Sequence, residues 1–391
     1  MRFEVTFLGV TGGPVEGNTC SMLLKGDYIS YQDIIRDKND AELMCVDAGA
    51  GLGSLSDIIY NEAYGNEARS REQRIYGSKV KPSHFLQAEI SHPFKQLSEH
   101  NTPYRQALEV FQMLNCYFIT HPHLDHVSGL VINSAGFSHT HCKRVYGSNY
   151  TIDTLQKHIF NGHVWPNMPR FDVLRLISSD FWHTFPINAV YSCTILDLSH
   201  GRVLRSKSSC DVAELRQRGD HHADLDKYHN LEDYVSSAFL ITHEPSDSSL
   251  LIFGDFESDT ISCTDKNKKI WHFIAPLICM PNRRLNGIIM ECSAHKVQST
   301  SKLYGHMNPE LLIQELLYLQ QECYTIAAQH DKVGNYSPLQ GLNVVINHIK
   351  ESPDGDYDPR YAILDELNSL NEKHKLGIVF SVAISGFSIV L

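Results

Sequence analysis

The 391-residue chain is 42% hydrophobic and 20% charged, the composition of an ordinary globular protein long enough to bury a large core. A formal charge of −11 argues against a surface that grips a nucleic-acid backbone, so no nucleic-acid partner is expected. A small anionic substrate stays compatible with that charge, because bound divalent metals reverse the field locally.

In chain order, the run from Phe3 to Leu8 alternates as a strand does and lacks the apolar core of a signal peptide. Further strands are predicted at Cys20 to Leu24 and Leu43 to Val46, the latter delivering Asp47 into the glycine-rich turn that ends at Gly51. Residues from about Tyr60 to His100 are polar and weakly periodic, which predicts an insertion near 60–113 standing outside the core. That insertion is also a candidate contact surface for a homodimer. The strand Cys116 to Thr120 follows, then a helix beginning near Val127, a short strand near Val145, a helical stretch from Thr151 to Phe160, and a strand from Ala189 to Leu198. A second polar segment, Arg202 to Asp233, predicts another insertion; its His221 and His222 have no apolar frame to hold them as ligands. Strands at Ser237 to Thr242, Leu250 to Phe253, Gly287 to Met290 and Leu342 to Ile346 each end in a polar tip. An amphipathic helix runs from Pro309 to Leu319 with Asn308 as N-cap. Strands mixed with helices, without a linker, predict one α/β unit spanning 1–391. Ten single cysteines without a CxxC pair, and no run of about 18 apolar residues, predict a cytoplasmic protein with no membrane span, nuclear entry left open.

The densest chemical signal is His121-Pro122-His123-Leu124-Asp125-His126, four metal-type side chains in six residues directly after an apolar strand. Imidazole and carboxylate are the ligands catalytic zinc takes. Alternate side chains of an extended segment point the same way, so His121 and His123 can converge on one ion, while Asp125 and His126, past the turn toward the helix, can serve a second. Asp47, His200, Asp255 and His348 stand at other strand ends, where sites are built. Singly each has a duller explanation: Asp255 as a turn former, His200 as a strand terminator, His348 as a core histidine. Their recurrence beside the dense motif is what makes them a candidate constellation.

With its H-x-H-x-D-H loop, later His, Asp and final His, the chain resembles the metallo-β-lactamase superfamily. The stretch from His121 to Ala135 is similar, more narrowly, to the signature of class II cyclic-nucleotide phosphodiesterases, the low-affinity cyclic AMP type known from fungi. The similarity extends to Gly12-Gly13-Pro14, His158 to Asn161 with Trp165 to Asn167, Leu198 to Gly201, Phe253 to Asp255, Glu291 to Ser293 and Leu303 to His306. The resemblance implies a four-layer αββα sandwich with a dinuclear zinc site, manganese or iron(II) being substitutes. It assigns His121, His123 and His200 to one ion, Asp125, His126 and His348 to the other, and Asp255 as the bridge. Asp47 would support a ligand imidazole. Candidate catalytic residues are His306, Glu291, Asp125 and Asp255, with His306 as proton donor or phosphate stabiliser; His306 as ligand in place of His348 is the alternative.

The implied reaction is hydrolysis of cyclic AMP to 5′-AMP, with cyclic GMP a further candidate. The ions would bring a shared water near neutral pKa, and in-line attack would expel the ribose 3′-oxygen. Phe160 and Trp165 could stack on the purine, although aromatic residues beside a helix are more often core. A zinc endoribonuclease of the tRNA 3′-processing type shares the ligand set, but no basic, flexible substrate arm is readable here. A thioester or lactam hydrolase would leave Glu291 and His306 without an obvious purpose. A metal-stabilised binding protein would not need seven retained ligands.

Overall fold

The computed structural model describes residues 1–64, 71–77, 81–97, 101–204, 231–279, 283–295, 303–329, 337–352 and 355–391. Fifteen strands are described: β1 (Phe3–Gly9), β2 (Ser21–Gly26), β3 (Met44–Ala48), β4 (Glu89–Ser91), β5 (Cys116–Phe118), β6 (Lys143–Ser148), β7 (Leu174–Ser179), β8 (Thr184–Pro186), β9 (Tyr191–Leu204), β10 (Leu231–His243), β11 (Ser248–Phe253), β12 (Leu285–Glu291), β13 (Asn343–Asn347), β14 (Val379–Val382) and β15 (Ser388–Val390). One sheet has the order β4-β15-β1-β2-β3-β5-β6-β7 and the other β14-β13-β12-β11-β10-β9-β8.

Period-two patterning sorts side chains between layers. In β5, Cys116 and Phe118 face the space between the sheets, while Tyr117 and, just past the strand, Ile119 pack under the helices of the first half. In β10, Phe239 and Ile241 face the other sheet while Ala238 and Leu240 pack against the second helical layer. Three apolar interfaces, helix to sheet, sheet to sheet and sheet to helix, thus make the αββα sandwich that the family resemblance implies.

Each sheet is antiparallel on one side and parallel on the other. Strands β3, β5, β6 and β7 run parallel in the first, and β11, β12, β13 and β14 in the second. Parallel pairing places the carboxyl ends of neighbouring strands side by side. Asp47 and the segment after Phe118 therefore leave one sheet together, and Asp255, Glu291 and His348 leave or follow the ends of adjacent strands of the other.

The expectation for Tyr60 to His100 is corrected in its described part. Phe85, Leu86, Phe94 and Leu97 are buried, and β4 hydrogen-bonds to β15 at the edge of the first sheet. The helix Pro103–Met113 likewise buries Ala107, Val110 and Phe111. Phe85-Leu86 and Phe94 with Leu97 are short apolar pairs set in polar chain, which hides them from a periodicity reading, whereas Ala107, Val110 and Phe111 follow helical spacing. For the second polar segment, Arg202 to Leu204 pair with Leu231 to Asp233 as extensions of β9 and β10; His221 and His222 lie outside the described residues. Among the described residues no helix is long and apolar enough to cross a membrane.

The outer layer of the second half is anchored by Trp271 in the helix Lys266–Cys279. Its ring is fully buried, and its Nε1 donates at 2.9 Å to Glu315 on the neighbouring helix Pro309–Gln329. Trp271→Ala removes this packing and leaves a buried carboxylate oxygen without its donor, so it should cost about 3–5 kcal/mol in urea unfolding. A loss below about 1 kcal/mol would contradict this reading of the layer.

Candidate metal centre and active site

The metal-type motif straddles the end of β5 and the start of the helix Leu124–Asn133. Gly129 of that helix donates from its amide to the Gly49 carbonyl at 3.1 Å, and Ser128 Oγ reaches the same oxygen at 3.0 Å. The helix is thereby pinned against the turn that follows β3. Val127 and Leu130 face the core, and His126 on the same turn is carried inward with them.

The structure brings His121, His123, Asp125, His126, His200, Asp255, His348, Glu291 and His306 into one cluster. One donor atom each from His121, His123 and His200 lie within 4.8 Å of one another, and so do donors from Asp125, His126, Asp255 and His348. Asp255 stands between the two groups. Its Oδ2 is 3.7 Å from His121 Nε2, 3.6 Å from His200 Nε2 and 3.0 Å from His348 Nε2, while Oδ1 is 3.3 Å from His126 Nε2.

Four of the rings are held by Nδ1 and turn Nε2 inward. His126 Nδ1 is 2.7 Å from Asp47 Oδ2, and His200 Nδ1 is 2.8 Å from the Gly305 carbonyl. His121 Nδ1 is 3.1 Å from Thr120 Oγ1, and His348 Nδ1 is 2.9 Å from Ser293 Oγ. An imidazole that donates from one nitrogen offers its other as a lone pair, so these anchors choose the donor atom. His123 is the exception, with Nδ1 facing His200 Nε2 at 3.4 Å.

These donors fit a divalent cation. Nε2 of His121 and Nε2 of His126 are buried and make no hydrogen bond of good geometry. Burial pushes His121, His123 and His200 toward the neutral form, His200 to about 4, so their lone pairs are available. At His126 burial acts in the same direction but is overcome by Asp255, Asp47 and Asp125, which raise it well above the usual range. His348 rises to about 9, burial being outweighed by Asp255 and the hydrogen bond to Asp125. Protons and a cation therefore compete for this second group of donors.

The backbone is bent to make the cluster. Asp47 and His348 occupy the left-handed region with φ of 51° and 57°, a conformation costing about 1–3 kcal/mol for such residues. A Cβ on Gly12 would lie 2.2 Å from His348 Cε1, so only glycine lets that ring sit where it does.

His306 lies beside the two groups. Its Nδ1 is 2.9 Å from Glu291 Oε1 and 3.8 Å from Asp255 Oδ2. The nitrogen nearest the donors is thus the one Glu291 holds, which separates His306 from the inward-facing rings. His306, both with His200 and Asp255 and with Glu291 and His348, falls within ligand distance. Sequence reasoning gave no role to Thr120, Ser293 or Tyr234, whose ring meets His123 edge-on at 4.9 Å, nor to Cys20, which lies near His126 and His348. Burial and the surrounding carboxylates keep the Cys20 thiol protonated. Phe160 is fully buried and Trp165 donates from Nε1 to Ser134 Oγ at 3.0 Å, which makes Phe160 core rather than a stacking surface.

The chain matches the family model described as class-II cAMP phosphodiesterases over residues 37–386. It is 37% identical to the 3′,5′-cyclic-nucleotide phosphodiesterase of Candida albicans, with 100% of both chains covered. Identity to 3′,5′-cyclic-nucleotide phosphodiesterase 1 of Saccharomyces cerevisiae is 31%, covering 100% of this chain and 99% of that one. In structure it is similar to unliganded yeast PDE1, with a TM-score of 0.78 at 27% identity over 100% of this chain and 99% of the other. A metallo-β-lactamase fold protein of Bacillus subtilis shares the fold, with a TM-score of 0.50 at 14% identity and 100% of both chains covered. A family model spanning most of the sequence and relatives aligned end to end lead to one conclusion: the chain belongs to the class II cAMP phosphodiesterases.

Proposed function

We propose that the chain hydrolyses 3′,5′-cyclic AMP to 5′-AMP, using two zinc ions held by His121, His123 and His200 on one side and by Asp125, His126 and His348 on the other, with Asp255 shared. The observation that carries the reading is the position of Asp255, whose Oδ2 faces His121 and His200 as well as His348 and whose Oδ1 faces His126, so that one carboxylate meets both groups of donors. A carboxylate has two oxygens to share, which suits a bridge. Zinc suits donors rich in neutral imidazole, and manganese or iron(II) would accept the same set. When bound, such ions supply Lewis-acid polarisation of the phosphodiester and a water acidic enough to attack at neutral pH.

The remaining chemistry belongs to the chain. Attack by water on phosphorus forms one P–O bond and breaks the bond to the ribose 3′-oxygen, which must gain a proton as it leaves. His306, gripped at Nδ1 by Glu291, has Nε2 left to give that proton or to pair with a phosphoryl oxygen. Contact with His306 holds the Glu291 carboxyl below its usual range despite burial, so Glu291 stays ionised as the ring's anchor. The nuclease reading gains no support, because relatives matching along the whole chain are named for cyclic nucleotides.

His306→Ala should retain two equivalents of metal and lose about 10²- to 10⁴-fold in kcat; unchanged kcat at full metal content would contradict the assignment. A panel of cyclic AMP, cyclic GMP, 2′,3′-cyclic nucleotides and a short RNA, run before and after chelation with metal content measured, tests the substrate class. Cyclic AMP turnover that disappears on stripping and returns with zinc, the RNA staying intact, is expected. Turnover persisting in protein proven free of metal would overturn the reading.

A further inference from the structure

Glu291 does more than anchor His306. Its second oxygen, Oε2, lies 2.5 Å from Ser293 Oγ, and that same hydroxyl lies 2.9 Å from His348 Nδ1 and 2.9 Å from the His348 carbonyl. All three residues are buried. A hydroxyl has one proton to give. Placed on the His348 ring, that proton would leave a bare hydroxyl oxygen facing a carboxylate at 2.5 Å, which the low dielectric of a buried site makes costly. Committed to the charged carboxylate, the strongest acceptor present, it leaves only lone pairs toward the ring. His348 Nδ1 must then be the donor, which makes Nε2, facing Asp125 at 3.3 Å and Asp255 at 3.0 Å, the nitrogen that would give its lone pair to a cation in exchange for a proton.

The other sheet repeats the arrangement. Asp47 takes His126 directly at 2.7 Å and accepts the Thr120 hydroxyl at 2.9 Å, and that hydroxyl faces His121 Nδ1 at 3.1 Å. Each sheet thus supplies one buried carboxylate that orients one histidine by contact and a second through a hydroxyl. At His348 the device is needed, because a backbone at φ 57° does not by itself fix the ring.

The geometry points to Ser293 as a positioning residue that relays the Glu291 carboxylate to His348 and thereby fixes which nitrogen of His348 faces the second group of donors. This rests on the two-ion reading of the site. Losing a partner of this kind weakens a metal by about 10- to 100-fold. The effect should fall on the ion that His348 serves and spare the one at His121, His123 and His200.

The test titrates Zn2+ against a competing chelator in wild type, Ser293→Ala and Ser293→Thr, with urea unfolding of each metal-stripped protein alongside. In Ser293→Ala one equivalent should bind about 10- to 100-fold more weakly while the other is unchanged. Metal-free Ser293→Ala should unfold at somewhat lower urea because the buried Glu291 carboxylate loses a donor, a loss that by itself would weaken both equivalents alike, and Ser293→Thr, which keeps the hydroxyl, should restore affinity. Unchanged binding of both equivalents, or an equal loss at both that tracks metal-free stability, would overturn the proposal. Wild-type protein that holds no divalent metal would overturn the reading of the site itself, and the proposal with it.

Discussion

The Asp47 carboxylate, buried where β3 ends, accepts the Thr120 amide at 2.9 Å and the His126 ring at 2.7 Å. Those two bonds join the turn after β3, the end of β5 and the first turn of the following helix. Without them the segment from His121 to His126 would not be tied to β3, and the His126 ring would have free choice of flip and tautomer. With them, both rings turn the same nitrogen inward. An imidazole has two nitrogens, and every anchor spent on one decides the use of the other. Most of the cluster obeys that constraint, and parallel strands in each sheet deliver the carboxyl ends that carry it to one edge, with His200 added from the antiparallel strand β9.

The second sheet brings Asp255, Glu291 and His348 on β11, β12 and β13 or directly after them. Close approach between the halves is set by small residues. A Cβ at Gly254 would lie 2.4 Å from Thr120 Cβ, so the strand carrying Asp255 can meet the strand carrying His121 only with glycine there. Electrostatics then sorts the rings. His121, His123 and His200 sit where burial dominates and are kept neutral, whereas His126 and His348 sit where carboxylates outweigh burial. The first set thus offers free lone pairs, whereas any cation at the second must displace protons.

Much of this was legible in the sequence because apolar strands ending in polar tips recur along it. The strands at Cys116, Leu250 and Leu342 carry their motifs in plain order, and Asn308 caps its helix as expected, accepting from Leu311 at 2.9 Å. The helix Lys266–Cys279 was not legible, since four polar residues open it and Pro276 sits inside it. Ser293 and Thr120 could not be given roles, because each links a near neighbour to a group, His348 or Asp47, that lies 55 or 73 residues away and meets it only once the strands align. The buried residues around Phe85 and Phe94 escaped for a related reason: one aromatic per stretch of polar chain has no period to read.

The most direct test of the central claim is a crystal structure of the zinc-loaded protein with anomalous scattering measured at the zinc edge. Two peaks are predicted. One is bonded to His121 Nε2, His123 Nδ1 and His200 Nε2, the other to Asp125, His126 Nε2 and His348 Nε2, with Asp255 touching both. A single peak, or a second ion bonded to His306 in place of His348, would contradict the account.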